Sequence, residues 1–133
     1  MECDFAFLCD YAEQDRKLHA VGIGWDTIYA RSVPFTHPVM CFVARLRASV
    51  DEQGAKTVSL HVIDADGVDV LPVAEQHMPF EVAADQLAAT ANMVFQFQGI
   101  QFAKFGQYAI QLRVEGIEVA EVPFTVAQVT PSE

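Results

Sequence analysis

A chain of 133 residues that is 52% hydrophobic and 20% charged is too apolar to stay disordered and too poor in charge for a long coiled coil. Its length fits one core, because single cores occupy roughly 100 to 150 residues. The 18 acidic and 8 basic residues give a net charge of −10, which opposes approach to phosphate backbones and anionic membranes, so neither is expected as a partner.

Three cysteines, Cys3, Cys9 and Cys41, are an odd number without CxxC spacing, the usage of a reducing compartment, and the expected location is cytoplasmic. Met1 to Asp4 lacks the positive region and apolar stretch of a secretory signal. The longest uninterrupted apolar run, Val39 to Ala44, is far shorter than the about 20 residues of a spanning helix.

The dominant periodicity along the chain is two, the signature of pleated strands. Asp4 to Tyr11 sets Phe5, Phe7, Cys9 and Tyr11 on one face and Ala6 and Leu8 on the other. Lys17 to Trp25 aligns His19, Val21, Ile23 and Trp25. Trp25 to Pro38 reads as a long connection rich in aromatics. Val39 to Ser49 is a central strand, with Met40, Phe42, Ala44 and Leu46 inward and Arg45 and Arg47 on a wetter face.

Lys56 to Asp64 alternates cleanly, with Val58, Leu60 and Val62 inward. Asp64-Ala65-Asp66-Gly67 is a turn, since aspartate caps its own backbone and glycine accepts positive φ. A short strand is expected to return over Val68 to Leu71. Gln76 to Val82 is a strand that Pro79 assigns to a sheet edge, because proline cannot donate to a ladder. Ala83 to Ala91 has helical composition, two turns at most, and Asn92 to Gln98 resumes as a strand with Met93, Phe95 and Phe97 inward. Gln107 to Val114, the turn Glu115-Gly116 and the return of Ile117 to Val129 form a hairpin. The tail 130–133 is polar and expected to fray.

These runs predict an all-β fold, a single antiparallel β-sandwich of eight or nine strands over residues 1–133, because a sheet covered on one face could not offset the entropy of ordering its chain. Phe105-Gly106-Gln107-Tyr108 with Ile110, Leu112, Val114 and Val119 to Val126 resembles the last two strands of immunoglobulin-like sandwiches. Tyr108 stands where a tyrosine corner opens the penultimate strand. Phe5 to Ala12, Gly22-Ile23, Ile28-Tyr29-Ala30, His37-Pro38 and Val43 to Arg47 resemble an uncharacterised bacterial family of short cytosolic β-sandwich proteins. That resemblance implies a fold and a bacterial origin, and no activity.

No catalytic constellation is legible. There is no nucleophile elbow and no glycine-rich phosphate loop, and Cys9 and Asp10, as neighbours on a strand, point to opposite faces. Neither a cofactor nor a metal is expected. His19, His37, His61 and His77 with the three cysteines lack the close spacing of a zinc site, and Asp64, Asp66 and Asp69 read as a solvated turn rather than a calcium loop. Cys9 and Cys41 read as small buried hydrophobes.

Two aromatic segments either cap the core or offer a contact surface: Trp25, Tyr29, Arg31, Phe35 and His37, and Ile100, Phe102 and Phe105 around Gly99 and Gly106. The expected function is a non-enzymatic protein-binding or assembly module, including self-association through a strand edge. The alternatives are a small-ligand or carbohydrate-binding pocket near residues 25–38, and behind these an enzyme.

Overall fold

The computed structural model describes residues 1–129; the expected fraying of 130–133 lies outside the described residues. The chain is all-β. Its strands are β1 (Glu2–Cys9), β2 (Tyr11–Gln14), β3 (Leu18–Val21), β4 (Thr27–Ala30), β5 (Phe35–Ser49), β6 (Gly54–Asp64), β7 (Ala74–Phe80), β8 (Ala88–Phe102), β9 (Gly106–Val114) and β10 (Ile117–Gln128). A 3-10 turn, Val50–Glu52, is the only helical element among the described residues.

The strands form three sheets, ordered β1-β5-β8, β4-β10-β9-β6-β7, and the hairpin β2-β3. The two larger sheets share one core. Met40, Phe42, Ala44, Leu46 and Met93 from the first meet Val58, Leu60, Ile110, Leu112, Phe124 and Val126 from the second. Alternation is the cause: on β9, Tyr108, Ile110, Leu112 and Val114 are buried at every second position. At one end of this core Phe102 meets Tyr108 and Phe124 edge-on, at 5.0 and 5.8 Å between ring centroids. The hairpin β2-β3 covers a second cluster on the outer face of the three-stranded sheet, where Cys9, Ala12, Cys41 and Val43 pack with Phe7 and Val94.

The sequence expectations and the structure part at definite places. Ten strands stand where eight or nine were expected, because the chain turns away after Cys9 and the first run divides between two sheets. Both of its faces reach a core only toward its end, where Leu8 is buried in the main cluster and Cys9 in the second, while Phe5 and Tyr11 are exposed. The fold is not purely antiparallel, since β4 runs parallel to β10 with Thr27 beside Thr125 and Ala30 beside Gln128. Ala83 to Ala91 holds no helix. Ala88–Ala91 instead ladders with Leu46–Ser49, because pairing to a central strand outweighs alanine's helical propensity. Over Val68 to Leu71 the return is reduced to one bridge, Asp69 to Ile63.

Other features match the reading from sequence. β7 lies at a sheet edge, with Pro79 opposite Ala55. The β9–β10 hairpin turns through Glu115 and Gly116, both at positive φ (51° and 79°), the two-residue type I′ geometry that suits strand twist. Glutamate is an unusual occupant there, and it is tied down on both sides: its N–H donates to the Thr57 carbonyl at 2.8 Å and its carboxylate accepts from the Thr57 N–H at 2.7 Å.

Candidate functional site

Most of the segment Trp25 to Pro38 belongs to strands. β4 ends at Ala30 and β5 already begins at Phe35, so Trp25 to Pro38 is a strand, a four-residue turn and the start of another strand rather than a long connection. Between β4 and the first residues of β5 lies a concavity of about 380 Å³, lined by Asp10, Trp25, Tyr29, Phe35, His37 and Pro38 together with Thr27 and Ile28. It falls within the size range of small-ligand pockets.

The walls are aromatic. The His37 ring stands 6.3 Å from Trp25 and 6.2 Å from Phe35, tilted to both. Tyr29 is 66% exposed, whereas Trp25 and Phe35 are half-buried and anchored on the main core. Burial holds the His37 imidazole below its ordinary value, against opposing contributions from the Val39 backbone and the Asp10 carboxylate. A neutral ring is favoured. The indole Nε1 of Trp25 is buried without a hydrogen-bond partner among the described residues.

Sequence reasoning missed Asp10. Its backbone N–H donates to the carbonyls of Val21 and Gly22 at 3.1 and 3.2 Å, which folds the end of β3 back against the end of β1. Gly22 has φ +73, and a Cβ there would stand 2.1 Å from Asp10 Oδ2. Only glycine leaves room for the carboxylate in that place. The signal was present as an isolated glycine closing a strand pattern, a mark of close backbone approach.

Both strands beside the concavity have an open edge. The carbonyls of Asp26 and Ala30 accept from Thr125 and Val129 of the β10 side. Backbone groups of successive strand residues alternate in direction, so Thr27 and Tyr29 direct their N–H and C=O away from β10. On β5, pairing with β1 begins only at Cys41, opposite Cys9. Phe35 to Val39 therefore ladder with β8 on one side alone.

The remaining candidates separate cleanly. Arg31 lies exposed in the turn after β4, outside the lining of the concavity, where its carbonyl accepts from Gln128. Ile100 and Phe102 are not a contact patch: both belong to β8 and are buried, at 3% and 1% exposure. The alternation that predicts Met93, Phe95 and Phe97 inward breaks at Gly99, whose φ is +66, and the next side chains change sides. Pro38 faces that break from β5, in the gap between the pairs His37–Ile100 and Val39–Gln98.

Other polar groups are occupied within the chain. Asp64 Oδ1 accepts from the N–H groups of Asp66 and Val68, and Asp69 pairs with His61 at 3.2 Å. No three histidine, cysteine, aspartate or glutamate side chains converge as a metal site among the described residues. A larger hollow of about 650 Å³ lies between β1, β6 and the β9–β10 turn, where Glu115 is engaged with Thr57 and Glu52 with Ser49, and no aromatic ring lines it. Cys9 and Cys41 are fully buried; burial first, then the neighbouring Cys41, pushes the Cys9 thiol up to about 11, which removes it as a nucleophile.

Residues 4–127 match the model of a family of unknown function, DUF6941. The chain belongs to that family. No curated protein matches it. Among solved structures, one with a similar backbone is the Pseudomonas fluorescens alkylpurine DNA glycosylase AlkC bound to DNA containing an abasic site analog, at 8% identity and a TM-score of 0.43. The likeness covers 76% of this chain and 27% of the glycosylase, and it is too slight to bear on function. Among the described residues, no helix is long and apolar enough to cross a membrane.

Proposed function

We propose that this member of the family is a non-catalytic binding module that takes an extended segment of a partner protein in the concavity between β4 and β5. One observation carries the reading: two strand edges with unpaired backbone groups flank an aromatic hollow whose Tyr29 is 66% exposed. Backbone donors and acceptors along an open edge supply affinity for an added strand, and adjacent pockets for alternate side chains supply selectivity. Native proteins blunt or cover such edges when no partner uses them.

The scaffold suits that role. We read it as an immunoglobulin-like sandwich, supported by the strand orders β1-β5-β8 and β4-β10-β9-β6-β7, by β4 running parallel to the last strand, and by the Tyr108 hydroxyl donating to the Lys104 carbonyl at 2.7 Å. That bond is the one a tyrosine corner makes. A cytoplasmic, bacterial setting is proposed on the cysteine usage and the family resemblance. Nucleic acid is an unfavoured partner at a net charge of −10.

Isotope-edited NMR tests the reading. A capped peptide of alternating threonine and valine is expected to shift the amides of Thr27, Tyr29, Thr36, His37 and Val39. Shifts confined to β7, the far edge of the same sheet, would contradict it. A second reading, sugar binding, is favoured by the accessible Tyr29 ring beside half-buried Trp25, since sugars stack on such faces. Titration with neutral oligosaccharides separates the two.

A further inference from the structure

Building on that reading, we propose that the concavity selects a basic side chain from the partner segment, its cationic head set between the Asp10 carboxylate and the faces of Trp25 and Tyr29. The lining holds one carboxylate, four aromatic or imidazole rings and neither lysine nor arginine. A cation over such rings is attracted to their negative faces, and a carboxylate at the rim adds a direct charge partner.

Asp10 supplies the carboxylate that lines this concavity, and among the described residues that carboxylate is free where those of Asp4 and Asp64 are not. The Asp4 carboxylate is filled, with Arg47 donating two hydrogen bonds at 3.1 and 2.9 Å and Arg45 Nε lying 3.1 Å away. Asp64 caps its own turn. No hydrogen bond or ion pair uses the Asp10 carboxylate among the described residues, yet it is seated against Gly22 by a contact that excludes any side chain there. Of the titratable groups that share the lining, Tyr29 and His37, the histidine is held toward neutrality by burial, which outweighs the opposing pull of Asp10. The excess of 18 acids over 8 bases also draws a basic segment in and repels an acidic one. A second copy of this chain, equally acidic, is disfavoured on the same ground.

The test uses the full chain and three capped nine-residue peptides of alternating threonine and valine, with lysine, norleucine or glutamate at the centre, titrated by calorimetry. The lysine peptide is expected to bind roughly tenfold tighter than the norleucine peptide, and the glutamate peptide weaker than both. In the Asp10→Asn variant the lysine-to-norleucine ratio is expected to fall toward one. Equal binding of lysine and norleucine peptides with shifts at Tyr29 would overturn the charge selection and leave the strand-binding reading standing. Absence of binding by all three would overturn both. A concentration-dependent dimer in light scattering, with its interface mapped to Tyr29, would replace the basic segment with a second copy.

Discussion

Chemistry at single residues follows from what each side chain was moved away from. Cys9 and Cys41 were legible as buried hydrophobes because an isolated cysteine on an apolar face has no other role to play, and both are fully buried. His37 was legible as a candidate, but its environment was not. Its neighbours Trp25 and Asp10 lie 12 and more residues away, and no spacing rule joins them. Because burial lowers its pKa in the folded chain, the unfolded chain binds the extra proton first as the medium acidifies. Stability from the neutral ring is thus fully present above the ordinary value near 6.5 and is lost as pH falls through the lower folded value. A His37→Gln variant is expected to lack that slope when denaturation midpoints are compared between pH 7 and about 5, a window above the titration of Asp4, which Arg47 holds below its ordinary value.

At the level of elements, alternation made the β9–β10 hairpin and the centre of β5 readable, since one face of each is buried without interruption. It failed where a strand changes sides. Gly99 opposite Pro38 reverses which side chains face the core, so Ile100 and Phe102 read as a loop capping the core, whereas both are core residues of β8 itself. It failed again at Ala88–Ala91, whose strand state comes from the ladder to Leu46–Ser49 and from nothing local. Tyr108 stood out in the sequence at the opening of β9, and its hydroxyl partner is only four residues away. Tyr108→Phe removes the hydroxyl that satisfies the Lys104 carbonyl and keeps the ring stacked on Phe124 at 5.6 Å. The expected loss is about 1 kcal/mol, read as a lower urea midpoint at unchanged slope.

For the whole molecule, the open slot is a consequence of how the chain begins. β1 ladders with β5 only as far as Cys9, the hairpin β2-β3 then covers the outer face of that sheet, and β4 joins the other sheet beside β10. The edge of β5 from Phe35 to Val39 and the edge of β4 are left facing the same hollow. Strand order of this kind depends on contacts between distant segments, and alternation alone cannot order the strands. Amide hydrogen exchange along β4 tests the claim most directly. Ile28 and Ala30, in phase with the bonds to β10, are expected to exchange on the order of a hundredfold more slowly than Thr27 and Tyr29. Equal protection at all four amides would mean that the second edge is already paired, and the slot would not exist.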